Sequence, residues 1–214
     1  DVTRDINHGR GVTARDFDND GDMDLYICNT SVTGGQGPNP ETFGGENRLL
    51  RNDGNFVFTD VTPELLVAMG SQRSAGWFDA DNDGDLDLLI IAMNSGTTLF
   101  ENIDSGMSFI PKDVKIFGNP KYEGIGGAGC AFSDFDFDGD VDVFITHKNG
   151  SNRFLRNDLP NENHWFQVKL AGVESNRDGI GARIKITTPE GEQIRDVRTG
   201  TGYWSQNSLT QHFG

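Results

Sequence analysis

The hydrophobic positions of this chain fall in short runs, each bounded by glycine, asparagine or aspartate. In the first part of the chain the runs lie at residues 12–14, 25–28, 47–51 and 56–61. They are short and rich in β-branched and aromatic side chains, which favours strands over helices. The sequence NDGN at residues 52–55 predicts a tight hairpin turn between the last two runs. This part of the chain is therefore expected to form four short strands.

The same arrangement occurs three times. The segments DFDNDGDMDLYI, DADNDGDLDLLI and DFDFDGDVDVFI begin at Asp16, Asp79 and Asp134 and align without gaps. Small residues that include glycine precede each segment, and a segment ending in asparagine follows each one. Four strands in a repeat of this length are typical of a β-propeller blade. We therefore expect an all-β fold with three propeller-type blades, which are incomplete or are completed by neighbouring chains.

Two further features concern the connections and the start of the chain. Residues 63–69 predict one or two helical turns between the first two blades. The sequence Asp1-Val2-Thr3 matches residues 60–62, the end of the last strand of the first blade, so the chain begins inside a repeat. Two hypotheses follow: a preceding blade has been cut away, or the N-terminal strand adds to another sheet.

The charge is concentrated in the repeats. The chain has 33 acidic and 18 basic residues, a net charge of -15, and the three Asp-rich segments hold 15 of the carboxylates. The remainder is neutral, so no basic patch is available for nucleic acid. No apolar run reaches the ~20 residues of a membrane helix. Cys28 and Cys130 leave two interpretations open, two buried thiols or one long-range bridge.

The spacing D-x-D-x-D-G-x-x-D predicts a calcium loop. Carboxylates at positions 1, 3, 5 and 9 converge when the chain curls, glycine at position 6 permits the turn, and position 7 offers its carbonyl. Close carboxylates repel one another unless a cation neutralises them, and the ligand number suits Ca²⁺ better than Mg²⁺. Three Ca²⁺ ions are therefore predicted. The candidate metal residues are Asp16, Asp18, Asp20, Asp22 and Asp24; Asp79, Asp81, Asp83, Asp85 and Asp87; and Asp134, Asp136, Asp138, Asp140 and Asp142.

Two other aspartate motifs fit the Asp-rich segments less well. An EF-hand needs glutamate at position 12, where this chain has Ile27, Ile90 and Ile145 within apolar strands. An Asp pair for phosphoryl transfer is expected once, after a strand, whereas here the strand follows and the segment occurs three times. Solvated acidic turns remain the simplest alternative to metal binding.

These segments resemble the FG-GAP/VCBS repeats of integrin α-subunits and bacterial secreted proteins. The resemblance covers residues 1–160 and implies a β-propeller with Ca²⁺ in its blade loops, used for structure, cell adhesion or ligand display. Residues 161–214 follow another pattern, with alternating strands at residues 165–170, 182–186 and 193–197. Segments such as SNRDGIGAR at residues 175–183 are similar to the ASPIC/UnbV domain of the cartilage acidic protein family. That resemblance implies a small C-terminal β domain and an extracellular location.

Residues outside the Asp-rich segments offer weaker candidates. Arg177 and Arg183 could hold a carboxylate or sugar acid, or could brace a tight loop. Trp165, Tyr203 and Trp204 could stack on sugar rings, or could belong to the core. The four histidines have no zinc spacing, and no nucleophile motif occurs. Sequons for N-glycosylation begin at the asparagines at positions 29 and 149.

The function predicted from these observations is an extracellular, calcium-binding structural or adhesive module without enzymatic activity. Its partners are expected to be a protein or glycan ligand, or copies of itself in an oligomer or filament formed by strand addition. It is not expected to bind nucleic acid or to be an integral membrane protein. The alternative is a lectin-like carbohydrate-binding domain, or a fragment of a larger propeller that includes a polysaccharide-acting enzyme.

Overall fold

The computed structural model describes residues 9–30, 45–67, 72–92, 96–103, 105–106, 108–112, 127–147, 150–160, 162–189 and 191–214. Strands dominate these segments, as predicted, and the described sheets are antiparallel and do not close on themselves. The predicted match at residues 1–3, the asparagine at position 149 and the last two residues of the predicted 63–69 helix lie outside the described residues.

The first blade is a four-stranded meander that confirms the four strands predicted for it. Its strands are β1 (Gly9–Arg15), β2 (Asp24–Asn29), β3 (Arg48–Asn52) and β4 (Phe58–Asp60), in that spatial order. The hairpin turn between β3 and β4 has Gly54 at a φ of 84° and Asn55 at 52°. A short helix, α1 (Glu64–Val67), leads to the next blade and buries Leu66.

The second and third blades repeat this order. Blade two consists of β5 (Gln72–Phe78), β6 (Asp87–Ala92), β7 (Thr97–Ile103) and β8 (Ser108–Lys112). Blade three has three strands in the described residues, β9 (Gly127–Ser133), β10 (Asp142–His147) and β11 (Arg153–Leu155). The first strand of each blade is the innermost, and β5 packs beside both β1 and β9.

The C-terminal segment forms two small sheets, where one was predicted. The strands are β12 (Phe166–Val168), β13 (Arg183–Thr187), β14 (Glu192–Asp196) and β15 (Gln211–Phe213). β13 and β14 form a hairpin, as the alternation predicted. β12 instead pairs with β15, a strand that the sequence pattern did not reveal because it has only three residues.

The core lies between neighbouring blades. One cluster around Tyr26, Trp77 and Phe100 fills the space between blades one and two, and a second around Ile91, Phe132 and Val143 joins blades two and three. The inner strands approach closely because they carry small residues. A Cβ added at Gly76 would lie 2.2 Å from Cε2 of Phe132, so this position requires glycine.

Two further predictions concern the state of the cysteines and the absence of a membrane helix. Cys28 and Cys130 are both buried free thiols, and burial raises the pKa of Cys130 to about 12. In the part of the chain that is described, no helix has the length and apolar character needed to cross a bilayer.

Candidate metal centres

The five aspartates of each repeat lie in the loop between the first two strands of a blade. In every loop, one carboxylate oxygen from each of positions 1, 3 and 9 lies within 4.8 Å of the other two. The three groups are Asp16, Asp18 and Asp24; Asp79, Asp81 and Asp87; and Asp134, Asp136 and Asp142. Three of the predicted ligands thus converge in each loop.

The backbone of each loop curls around these carboxylates through two left-handed residues. Position 4 has a φ of 56° at Asn19, 60° at Asn82 and 63° at Phe137. Position 6 is a glycine whose φ is 93° to 98° in the three loops. Such angles are cheap for glycine and tolerated by asparagine, but they are costly for phenylalanine. The curl lets the position 6 N–H donate to the position 1 carboxylate at 3.0 to 3.2 Å.

The aspartate at position 9 has a second role that its spacing did not predict. Both of its oxygens accept backbone N–H groups. One group belongs to the residue after position 1, and the other belongs to the asparagine at or near the end of the third strand. For Asp87 these bonds come from Ala80 at 2.8 Å and Asn102 at 2.7 Å. The residue is buried in all three blades, so it fixes the loop to the sheet whether or not an ion is bound.

The aspartates at positions 5 and 7 do not join the three clusters. At position 5, one oxygen accepts the N–H of the position 7 residue at 2.8 to 3.0 Å, which leaves the other oxygen of Asp20, Asp83 or Asp138 for a ligand. The position 7 carboxylates of Asp85 and Asp140 accept hydrogen bonds from Ser105 and Asn82. A role for position 5 as a metal ligand remains a prediction.

Burial makes the clustered carboxylates electrostatically costly. Asp16 and Asp79 are each 2% exposed, and their pKa values are raised to about 6 and about 7, chiefly by burial and further by neighbouring aspartates. Burial likewise raises the pKa of Asp24 to about 7. A bound cation removes this cost because it compensates both the lost hydration and the mutual repulsion.

The first two loops also contain carboxylate oxygens without partners. Oδ1 of Asp16, Asp18, Asp79 and Asp81 is buried and accepts no hydrogen bond. Buried oxygens of this kind are costly unless something satisfies them. They sit in the clusters of positions 1, 3 and 9, and all the donors are hard oxygens, so the residues fit a calcium ion.

The third loop is more open than the other two. Asp136, at position 3, has a side chain 38% exposed and forms an ion pair with Arg156 at 3.2 Å. The corresponding Asp18 and Asp81 have no such ion pair among the described residues. A cation in the third loop must therefore compete with Arg156.

A set of asparagines connects the loops to one another, a role that the sequence pattern did not reveal. Asn102 donates from Nδ2 to the carbonyl of Phe17 in the first loop at 3.3 Å, and Asn157 donates to Ala80 in the second loop at 2.7 Å. Each asparagine thus bridges to the loop of the preceding blade. The sequence does show an asparagine at the end of each repeated third-strand segment. It does not show the partner of that asparagine, which is about 80 residues away.

Comparison with known protein families agrees with this geometry. The model of the FG-GAP-like repeat matches residues 16–90 and 79–145, which is more than half of the chain. The chain belongs to the FG-GAP-like repeat family. A second family model, ASPIC and UnbV, matches residues 172–214. Both resemblances seen in the sequence are therefore confirmed.

The FG-GAP-like chain is also similar to cartilage acidic protein 1. It is 25% identical to the human protein over 233 residues, which cover 97% of this chain and 31% of the human protein. It is 26% identical to the Xenopus tropicalis protein over 224 residues, with 97% of this chain and 32% of that protein covered. The chain thus spans about a third of the length of these curated relatives.

The segment that follows the FG-GAP-like repeats contacts all three loops. Arg195 is buried and donates to Oδ1 of Asn19 in the first loop at 3.4 Å and to the carbonyl of Gly84 in the second at 3.1 Å. Gln167 donates to Oδ2 of Asp134 in the third loop at 2.8 Å. The C-terminal strands therefore hold the loops from outside the blades.

The structure also places several of the weaker candidates. Arg183 pairs with Asp196 and donates to the carbonyl of Gly21 at 2.6 Å, which makes it a brace for the first loop. Trp165 stacks on His212 and covers Gly139. Trp204 is 80% exposed, so of the two interpretations given for it the core position is excluded.

Proposed function

We propose that this chain is a calcium-binding structural module with no enzymatic activity. Each of its three blade loops binds one Ca²⁺ ion, through carboxylates at positions 1, 3, 5 and 9 and the carbonyl of position 7. The ions stabilise the turn between the first two strands of each blade, while the asparagine bridges connect neighbouring blades with or without an ion. The division into blades at 1–160 and a C-terminal domain at 161–214 is part of this proposal.

The observation that supports it is the set of four buried, unpartnered carboxylate oxygens in the first two loops. A solvated acidic turn would direct these oxygens to water instead of burying them beside one another. The clusters also recur at equivalent positions of the three blades. We expect the third site to be the weakest, because its Asp136 is exposed and paired with Arg156.

We further propose an extracellular location. Free Ca²⁺ is millimolar outside cells, which suits extracellular modules with affinities of roughly 10⁻⁴ to 10⁻³ M. The similar proteins are named for cartilage, a tissue that consists largely of extracellular matrix. The free thiols are consistent with any compartment because both are buried.

Thermal unfolding in Ca²⁺, in Mg²⁺ and in chelator tests the proposal. Binding only to the folded state stabilises it by about 2.7 kcal/mol per site when free Ca²⁺ is 100 times the dissociation constant. We expect chelation to lower the melting temperature and Mg²⁺ to restore little of it. A melting temperature that is the same in all three buffers would show that the loops are acidic turns.

Self-assembly is the finer part of the proposal. The three blades do not form a closed ring in the described residues, and propellers typically close with about four to eight blades. We propose that copies associate through the uncovered edges or faces of the blades, which generates an oligomer or filament. Light scattering and electron microscopy with and without Ca²⁺ measure this directly. A monodisperse monomer in both buffers would refute assembly without affecting the metal sites.

A further inference from the structure

A cavity of about 370 Å³ lies where the inner strands of the blades end and the C-terminal segment crosses them. The last residues of β1, β5 and β9 form its floor, and residues 207–212 form part of its wall. Its volume is near the lower end of the range for small-molecule sites. None of the proposed metal functions needs this cavity.

The basic residues of this cavity form no close ion pair with a carboxylate of the described residues. Arg15 forms no ion pair with any described residue, and its one hydrogen bond, from Nη1 to the neighbouring carbonyl of Ala14, is long at 3.5 Å. Lys169 also has no ion pair in the described part of the chain. The guanidinium of Arg195 bonds to carbonyl and amide oxygens only. By contrast, Lys185 outside the cavity pairs with Glu192.

Two carboxylates also line the cavity, but they belong to the metal loops. Asp79 accepts from the N–H groups of Gly84 and Gly214, and Asp134 accepts from Gly139 and Gln167. Neither forms a close ion pair with a basic residue of the cavity, although burial raises the pKa of Asp79 and the charge of Arg195 lowers it by a smaller amount. When the loops hold cations these charges are compensated, which leaves the cavity with an excess of positive charge.

His212 lines the cavity as a neutral ring. The Nδ2 of Asn82 donates to Oδ1 of Asp140, so Oδ1 of Asn82 must accept, and Nε2 of His212 donates to it at 2.6 Å. The histidine is neutral because burial lowers its pKa to about 4. Its Nδ1 is therefore an acceptor, and it has no partner. Because Nδ1 is buried, this acceptor is not open to a ligand in the cavity.

The mouth of the cavity is aromatic. Phe135 and Phe137 line it and are 53% and 81% exposed. The backbone of Phe137 is left-handed, with a φ of 63°. Exposed aromatic faces pack well against the apolar face of a sugar ring.

We propose that this cavity binds a small hydroxylated ligand through an oxyanion, a carboxylate or a sulfate carried by a sugar-sized molecule. Arg15 and Lys169 bind the oxyanion, and Phe137 packs against the sugar ring. Arginine suits this role because its planar donors match two oxygens at once. The site goes beyond the structural role of the metal loops.

Isothermal titration of the full chain in saturating Ca²⁺ tests the site with matched probes. Galacturonate is compared with its neutral methyl ester, and glucose 6-sulfate with glucose. We expect at least one acid to bind about tenfold or more tightly than its neutral partner. This is the difference expected when the neutral partner lacks a charged hydrogen bond. The two arms distinguish a carboxylate from a sulfate. If neither acid exceeds its neutral partner, the proposal is wrong.

Substitutions locate the site. Arg15→Gln should weaken binding of the preferred acid about tenfold, and Lys169→Gln should weaken it by a smaller factor. Lys185→Gln is the control, since this residue lies outside the cavity, and it should bind as the wild type does. The Ca²⁺-dependent melting shift of each variant reports whether the fold and the metal loops are intact. Unchanged affinity in both Arg15→Gln and Lys169→Gln would overturn the proposal.

Discussion

The substitution Asp79→Asn should stabilise the protein when calcium is chelated and destabilise it when calcium is bound. Asp79 is 2% exposed, and its Oδ2 accepts the N–H groups of Gly84 at 3.1 Å and Gly214 at 3.2 Å. Asparagine can keep both bonds through its single carbonyl oxygen. Its amide then replaces Oδ1, the unpartnered oxygen that faces the cluster. The variant thus removes a buried charge and a metal ligand together.

The magnitude follows from the pKa of Asp79, which burial raises from 3.8 to about 7. At pH 8 the ionised group costs the folded state up to about 4 kcal/mol, at about 1.4 kcal/mol per pH unit. The new buried amide, left without a partner, offsets about 1–3 kcal/mol of this gain. We expect a net stabilisation of about 1–2 kcal/mol in chelator, or roughly 2–8 °C in melting temperature for a chain of this size.

In calcium the sign reverses. Loss of the second ion removes about 2.7 kcal/mol when free Ca²⁺ is 100 times the dissociation constant. This exceeds the gain of about 1–2 kcal/mol that the variant has in chelator, so a net loss of about 1–2 kcal/mol remains. The melting temperature of the variant should then fall below that of the wild type by roughly 2–7 °C.

Scanning calorimetry measures the melting temperatures of both proteins under three conditions. These are chelator at pH 8, Ca²⁺ at pH 8 and chelator at pH 5.5. At pH 5.5 the wild-type carboxyl is protonated in the folded state, so the advantage of the variant in chelator should disappear. Asp178→Asn changes an exposed carboxylate outside the Asp-rich segments, and it should stay within about 0.5 kcal/mol of the wild type in every buffer. Equal destabilisation by Asp79→Asn in chelator and in Ca²⁺ would refute the reasoning.

Three further predictions concern the same network. In chelator, the melting temperature should rise as the pH falls from 8 to 5.5. The reason is that burial raises the pKa values of Asp16, Asp24 and Asp79 to between about 6 and about 7, while the unfolded carboxyls titrate near 4. A pH titration of the melting temperature in Ca²⁺ should not show this rise. Asn102→Ala removes side-chain hydrogen bonds to two carbonyls. It should lower the free energy of unfolding, measured in urea, by about 2–4 kcal/mol, equally with and without Ca²⁺. A loss of stability confined to the calcium-loaded protein would contradict a structural bridge. Arg195→Met should lower the melting temperature and weaken Ca²⁺ binding measured by calorimetry, because it removes hydrogen bonds to the first and second loops. Unchanged binding would mean that the C-terminal strands do not influence the loops.

The C-terminal segment contacts the proposed metal ligands directly. Gly214 and Gln167 donate directly to the position 1 carboxylates of the second and third loops. Any movement of the C-terminal strands therefore changes the environment of two metal ligands. We expect the segment and the ions to stabilise one another, since each favours the same loop conformation.

The sequence by itself determined the local features of this protein. The spacing of aspartate and glycine in each repeat specifies a curled loop, because its hydrogen bonds join residues at most seven positions apart. The alternation of short apolar runs specifies the strands that follow. Both depend on neighbours in the chain, so the three blades, the clusters around Asp16, Asp79 and Asp134 and the family resemblance could be predicted without a structure.

The tertiary structure decided what lies between distant residues. The bridge from Asn102 to Phe17 spans 85 positions, and the contact of Arg195 with Gly84 spans 111. No local pattern encodes such pairs, because they depend on how the blades pack and where the C-terminal strands lie. The same holds for the exposure of Trp204 and for the cavity that contains Arg15. Burial, which raises the carboxylate pKa values and leaves oxygens without partners, is likewise a property of the packed fold alone.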